Sequence, residues 1–589
     1  MRPRKDGAIR SRVALLLLIG WAASARPAFG QCPDGSPAPC RSGGAGPPAK
    51  SVAVLDFDNL SHDTSDAYLS EGLAEELTSQ LGQLERLRVA SHTAVRRLRD
   101  VSHMPLPDIS RALNVAYLVN GSVRRSGPHL RVTVELLRLA TGAQVWSSQY
   151  DRSEQDLLAV QEAVANAVAT AVAGRLLPTE RTTLATRPTR SPDAYDAYLR
   201  ARVLYGAAVP ARQPEAVALL ERAVAIDSGF ATAWALLSRV QSNMFWYYVD
   251  RSNERLERAK AAADRAASIA PDAPETHIAL GYVHYYGSRD YGRALQEFSA
   301  ALVARPNAPE VHAAIANIAR RQGSWEQSLT SRIRAIELDP QNRPEIVEQG
   351  ITFLLLRRFD EAEQEFSRAL NPPDLLTAQV FAAALAVERD GSLLQAAPRV
   401  EFLAAHPEDF VALTFDDPGA LLPVWRAAGQ HQAAILAASP EPTPQGRALH
   451  YLVVGQVLGA QGRRADAAAV YDSVRAIVAD LLTQRPLDDG FHAQLSLADM
   501  GLGRCDDAIR EAERAVELLP VSADALTGPQ RLQNLAEVAA GCGRADQAFD
   551  RLTYLLSIPS FVTRALLQTD PAYSALRADP RFAQLIAGH

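Results

Sequence analysis

The sequence predicts a mostly α-helical protein: an N-terminal α/β domain of order βαβαβββα with a mixed sheet, then an α-solenoid of helix pairs. Three observations predict it. Between Ser51 and Arg175 the apolar residues alternate between a period of two and a period of 3.6. Past residue 192 a pattern of small and aromatic residues recurs at a spacing of about 34. Composition agrees: 47% hydrophobic but only 6% aromatic, rich in alanine and leucine, which suits close helix packing better than a β-sandwich. A chain of 589 residues is too long for one core, so two or more units are expected.

Residues 1–30 read as a separate object. A basic leader, "MRPRKDGAIRSR", precedes the apolar run "VALLLLIGWAASA", and "AFG" places small residues before a cut after Gly30. That is the layout of a secretory signal peptide, and it predicts a periplasmic or secreted protein. The competing reading is an uncleaved anchor, which is the only route to membrane contact; its apolar run is shorter than the roughly 20 residues a spanning helix needs. Cleavage would leave fifty-five basic residues against sixty-six acidic ones, a shift in net charge from −6 to −11. Such an acidic chain is poorly suited to nucleic acid, so no nucleic-acid partner is expected.

Residues 31–50, "QCPDGSPAPCRSGGAGPPAK", are rich in Pro, Gly and Ser and read as a flexible linker. The even cysteine count, Cys32, Cys40, Cys505 and Cys542, fits an oxidising compartment. Cys32 and Cys40 could close a small loop; zinc is the sharper alternative but lacks further ligands nearby.

The α/β domain is read over residues 51–180. "SVAVLDF" is a short buried strand, and "SDAYLSEGLAEELTSQLGQL" a helix with Leu69, Leu73, Leu77 and Leu81 on one face. "RLRVASH" reads as a second strand and "PDISRALNV" as a short helix with Pro107 near its start. Three strands follow, "AYLVNGSVRR", "HLRVTVELLRL" and "AQVWSSQYD", and then a helix carrying Leu157, Val160, Val164, Val168 and Val172. Residues 181–192 read as a linker and 193–589 as the helical array with a closing segment.

Within the array, "RPEIVEQGITFLLLRRFDEAEQEFSRAL" carries Gly350, Phe353, Ala362, Phe366 and Ala369, and "HYLVVGQVLGAQGRRADAAAVYDSV" carries Tyr451, Gly455, Gly462, Ala467 and Tyr471 at matching places. A small residue in the first helix lets the second cross closely, and an aromatic fills the notch. Proline ends the second helix before the next begins. A lone amphipathic helix of this length is marginal, so each pair must bury its remaining face on its neighbour. About eight to ten pairs fit.

These segments resemble tetratricopeptide repeats. The block "SVAVLDFDNLS", "AYLSEGLAEELTSQL" and "YLVNGSVRRSGPHLRVTVELLRLATGAQVWSSQYDR" resembles the TolB-amino-terminal-like (FlgO-type) domain of bacteria, found in cyclase- or kinase-associated and CadC-like repeat proteins. In such relatives the domain joins a cytoplasmic output module to the repeats; here a signal-like leader stands in front instead, so their signalling role does not transfer directly.

No GxSxG, HExxH, P-loop or CxxC motif occurs. No enzyme activity, cofactor or metal is expected. Asp56 and Asp58 at the end of the first strand could hold a cation or do acid–base work, against the plainer reading of turn-forming carboxylates. His62, His92 and His103 lack metal spacing and read as surface residues. Arg124, Arg125 and Arg131 flank a hairpin, where an anion site competes with a solvated strand face. Cys505 and Cys542 fall at ends of helices that should pack together, so a disulfide competes with two buried thiols.

The repeat resemblance implies that first helices line a concave groove. Carried onto this chain, the inward set is Arg239, Asn243, Tyr282, Tyr285, Tyr286, Asn317, Arg320 and Arg321. Rings for apolar contact and guanidinium forks for carboxylates suit an extended peptide. The expected function is thus a non-enzymatic scaffold of the cell envelope that binds a protein or peptide of unknown identity. The alternatives are the sensory half of an envelope signalling system and an enzyme with an unrecognised site in the α/β domain.

Overall fold

The structure is a computed structural model, and it describes residues 46–61, 66–98, 104–126, 129–153, 157–206, 212–247, 249–392, 395, 396, 398, 399, 402 and 443–587. The proposed leader, Cys32, Cys40, His62 and His103 lie outside the described residues, as does Tyr248. The described residues from Pro47 onward form one compact unit.

The α/β domain runs β1 (Ser51–Val54), β2 (Asp58–Asn59), α1 (Ala67–Gly82), β3 (Arg88–Val89), α2 (His92–Arg97), α3 (Leu106–Leu113), β4 (Tyr117–Ser126), β5 (His129–Arg138), β6 (Ala143–Ser153) and α4 (Leu157–Ala173). The sheet has the order β3-β1-β4-β5-β6, with β2 also pairing β4. Its β1 pairs with β3 and β4 are parallel, and β4-β5-β6 is an antiparallel meander, so the sheet is mixed as expected. The expected strand over "RLRVASH" shrinks to Arg88–Val89. The chain then turns into α2, which the sequence reading lacked, with Ser91 capping it by accepting from the Ala94 amide at 3.1 Å. The leucines of α1 and valines of α4 share one core with β1, β4 and β5.

A short helix, α5 (Pro178–Ala185), crosses the stretch read as a linker. The array then runs in pairs: α6 (Pro192–Gly206) with α7 (Gln213–Ile226), α8 (Ala231–Trp246) with α9 (Asn253–Ile269), and α10 (Pro274–Tyr282) with α11 (Tyr291–Ala304). Next come α12 (Pro309–Arg321) with α13 (Trp325–Leu338), α14 (Arg343–Leu355) with α15 (Phe359–Ala369), and α16 (Leu376–Asp390). The C-terminal half holds α17 (Pro444–Ala460) with α18 (Arg464–Gln484), α19 (Asp489–Gly501) with α20 (Cys505–Leu518), and α21 (Thr527–Gly541) with α22 (Ala545–Ser557). Two short helices, α23 (Arg564–Thr569) and α24 (Pro580–Ala587), close it. Among the described residues none of these helices is long and apolar enough to cross a membrane.

The notch explains the tight pairing. A Cβ on Gly350 would stand 2.5 Å from the Phe366 ring, one on Gly455 2.5 Å from Tyr471, and one on Gly281 2.7 Å from Phe298. These distances are too short for any side chain, so glycine is what lets each aromatic lie across the first helix. Cys505 and Cys542 are joined by a disulfide with Cα atoms 5.5 Å apart, linking the start of α20 to the end of α21.

First helices of successive pairs touch one another, as α8 does α10 and α19 does α21, while second helices make no comparable contacts with each other. Curvature follows: first helices form the inside of the spiral.

Candidate binding surface on the inner face

The two edges of the spiral are occupied differently. Along one edge lie the turns from each second helix to the next first helix, and the α/β domain sits there. Ser91 Oγ donates to Asp339 at 2.9 Å, Arg97 pairs with the same carboxylate at 3.3 Å, and Gln341 donates to the Ala112 carbonyl at 3.1 Å. At the array's start, α1 packs on α6, where Arg202 pairs with Glu75 (2.9 Å) and Glu76 (2.6 Å), and Tyr195 donates to Gln161 at 2.7 Å. The α/β domain therefore caps the first pair and reaches across to the fourth.

Along the other edge lie the turns within each pair, and here the spiral rests on itself. Arg289 pairs with Asp489 at 2.8 Å, Tyr291 donates to Asp524 at 2.7 Å, and Arg321 pairs with Asp524 at 2.8 Å while donating to Thr527 at 2.9 Å. Further along, Arg357 donates to the Leu555 and Val562 carbonyls at 3.1 and 3.2 Å, and Thr563 to the Glu388 carbonyl at 2.6 Å. Asp524 is fully buried yet saturated: besides Tyr291 and Arg321 it accepts from the amides of Leu526 and Thr527 at 2.9 and 2.8 Å. Burial alone would raise its carboxyl, and the Arg321 guanidinium and these donors hold it below the usual range instead.

In six of the described pairs the turn between the two helices carries a left-handed residue. Glycine supplies it at Gly323, Gly462, Gly503 and Gly543, each two residues before the second helix. At the same place the third and fifth pairs carry Arg289 (φ 53°) and Arg357 (φ 56°). A non-glycine residue in that region costs about 1 kcal/mol. Both arginines reach the next turn of the spiral, so the backbone cost goes with a tertiary contact.

The eight sequence-predicted groove residues divide accordingly. Tyr285 and Tyr286 lie in a π-helical turn, Val283–Ser288, that extends α10, and both are buried in an aromatic cluster. Tyr286 stacks on Trp246 with centroids 4.5 Å apart, and Tyr285 accepts from Arg321 Nε at 3.1 Å. Arg321 thus belongs to the contact between spiral turns. Arg320 is buried and tied to Glu348 and Thr352. Asn317 Oδ1 accepts from Arg320 and Arg332. Phe245 is buried at the end of α8 and Tyr247 is exposed.

Arg239, Asn243 and Tyr282 come together on the inner face, joined by Tyr205 of α6, which sequence reasoning missed. The Arg239 guanidinium lies 5.5 Å from the centroids of both the Tyr205 and Tyr282 rings. Asn243 donates to the Tyr205 hydroxyl at 2.9 Å, and Tyr282 is held from behind by Phe298 at 5.1 Å. Burial, the largest effect, pushes the Tyr282 hydroxyl well above its ordinary value despite Arg239 beside it. Tyr205 lies in the last turn of α6, and its contact with α8 spans 38 residues of sequence, beyond the reach of any local pattern.

The α/β domain's Glu75 and Glu76 reach Arg202 on α6, while its sequence-predicted candidates lie outside the Tyr205–Arg239 cluster. His92 Nε2 is 2.5 Å from Asp56 Oδ1, with the histidine buried and the aspartate exposed. Asp58 is exposed in β2. Arg125 pairs with Asp66 at 2.9 Å and Arg131 with Asp151 at 2.6 Å.

No family model matches this chain. A curated protein of Rhizobium meliloti (strain 1021), "Putative adenylate cyclase 3", is 32% identical over 240 residues. That alignment covers 40% of this chain and 40% of the relative, so the chain spans well under half of the curated protein it matches. Among solved structures, a tetratricopeptide repeat protein from Parabacteroides merdae aligns with TM-score 0.30 and 18% identity, over 45% of this chain and 98% of that one. PilW, a type IV pilus biogenesis factor, aligns with TM-score 0.30 and 18% identity, over 36% and 92%. YrrB, described as a TPR protein with an unusual peptide-binding site, aligns with TM-score 0.23 and 21% identity, over 32% and 90%.

Proposed function

We propose that this chain is a non-enzymatic scaffold that binds a segment of another protein on the inner face of its first helix pairs. The observation that carries the reading is the cluster of Tyr205, Arg239, Asn243 and Tyr282. Aromatic rings, an amide and a guanidinium converge there from three consecutive inner helices. Such surfaces give binding energy through ring burial and orientation through charge-assisted hydrogen bonds. Export through the leader, and hence a partner in the cell envelope, is part of the same proposal; the leader's sequence layout and the Cys505–Cys542 disulfide support it.

A photo-crosslinking residue at Asn243 of the full chain, expressed in its own host, should give a discrete protein adduct. The same residue at Glu257 on the exposed side of α9 should give none. Equal adducts at both sites would remove the reading.

The adenylate cyclase relative favours a second reading, in which this chain shares the regulatory part of a signalling protein. The resemblance of residues 51–180 to the TolB-amino-terminal-like domain agrees with it. Purified full chain incubated with ATP and divalent metal should form no cyclic AMP; turnover would replace the scaffold reading with an enzymatic one.

A further inference from the structure

The second half of the array returns to the first at two places, and the two are chemically unlike. At one, α23 packs on α16. The Phe381 and Phe561 rings stack there with centroids 6.4 Å apart, and Val562, Leu566 and Leu567 share one apolar core with Ala383 and Val387. A Cβ on Gly391, just past α16, would stand 2.8 Å from Thr569 of α23, so the two elements approach closely. Apolar burial of this kind is hard to undo, at roughly 25 cal/mol for each Å² returned to water.

At the other place, the starts of α19 and α21 meet the second, third and fourth pairs, and the contact is made of charge. Arg251, Arg289 and Arg321 of the first half face Asp488, Asp489 and Asp524 of the second, at 3.7, 2.8 and 2.8 Å. Tyr291 donates to Asp524 at 2.7 Å, Arg485 to the Arg251 carbonyl at 3.1 Å, and the Ala525 amide to the Arg321 carbonyl at 2.6 Å. The Phe245 ring meets the second half through the Arg485 guanidinium, 5.0 Å from its centroid. The apolar cluster that runs from Ile278 to Ile318 takes in no residue of the second half among those described.

The two contacts therefore differ in how readily they part. The three aspartates are at most 5% exposed, and the hydration that buried charges give up largely offsets the attraction they gain. Separation restores that hydration, so the shut and parted arrangements of the charged contact lie close in free energy. Polar contacts between parts of one chain are where relative motion is expected.

We propose that residues 444–587 form a flap that swings about the apolar contact of α16 with α23 and is held shut by the charged contact at Asp488, Asp489 and Asp524. Opening frees Arg289 and Tyr291 and uncovers Arg321 where it lies against Tyr285 and Trp246. The device stands whatever the inner face binds.

The test is pulsed electron spin resonance on the full-length protein, with spin labels carried on keto amino acids so that the cysteines are untouched. One label pair, at the exposed residues Glu257 and Asp480, brackets the charged contact; a second, at Asp360 and Thr553, brackets the apolar one. Wild type should give one short, narrow distance for each pair. Asp489→Asn combined with Asp524→Asn should raise the ratio of long to short distances between Glu257 and Asp480 about tenfold or more, with the Asp360–Thr553 distance unchanged. The Asp524→Asn side chain keeps an oxygen for the Leu526 and Thr527 amides, so the local turn survives, and circular dichroism confirms the helix content. An unchanged first distance in the folded double variant overturns the proposal, because the charges then hold nothing shut. Lengthening of both distances together, or loss of helix, also overturns it, because the contact is then part of the fold and no flap swings on it. A broad first distance in wild type does the same.

Discussion

Arg289 and Asp489, 200 residues apart in the chain, form a 2.8 Å ion pair that fastens one turn of the spiral to the next. Arg531 joins the same carboxylate at 2.8 Å, and the aspartate is only 5% exposed. Burial acts to raise the Asp489 carboxyl, but the two guanidinium groups more than reverse this and hold it far below the usual range.

That depression has a definite sign for stability. The ionised pair contributes fully above the unfolded aspartate value of about 3.9, and its contribution is lost as pH falls toward the depressed folded value. Asp489→Asn should cost about 3 kcal/mol at pH 7, because two partly buried arginines lose their partner. The gap between variant and wild type in urea melts should narrow steadily below pH 4. A gap that stays constant down to pH 2.5 would mean that the pair is not what links the turns.

Arg357 sets strain against contact. Its left-handed backbone favours glycine, while its side chain donates to two carbonyls of the following spiral turn. Both Arg357→Gly and Arg357→Ala lose the hydrogen bonds, but only glycine also relieves the backbone. The expected order of stability is Arg, then Gly, then Ala, with Gly about 1 kcal/mol above Ala. Chemical denaturation of the three proteins reads this directly, and Ala equal to or above Gly would contradict the strain.

The Gly350–Phe366 notch makes a packing prediction. Gly350→Ala should destabilise by about 1–3 kcal/mol, since its Cβ would meet the ring at 2.5 Å. Phe366→Leu in the same chain should restore part of the loss, although alone it is destabilising. A double-mutant cycle by thermal melt measures the coupling, and simple additivity would show that the two positions do not share the notch.

Much of this was legible in sequence because it is local. The helix pairs announce themselves through residues a few positions apart: Gly350 with Phe366, Gly455 with Tyr471, the alternation of β4 and β5, the leucine stripe of α1. The shortened β3 and the added α2 were less legible, because Ser91 works both as the end of a strand and as a cap. The groove set was legible only in part. The repeat resemblance carries Arg239, Asn243 and Tyr282 onto the inner helices, but it cannot say that a π-helical turn buries Tyr285 and Tyr286. A signal for the stacked edge did exist: arginine stands at 289 and 357 where the aligned turns have Gly323, Gly462, Gly503 and Gly543.

The sequence by itself determined the repeating unit, since a short amphipathic helix with a glycine notch has only its neighbour on which to bury itself. The pitch of the spiral was decided only in three dimensions. Pitch depends on small rotations summed over many pairs, and on charged side chains that meet two hundred residues apart. Arg289 with Asp489, and Arg321 with Asp524, close the spiral onto itself.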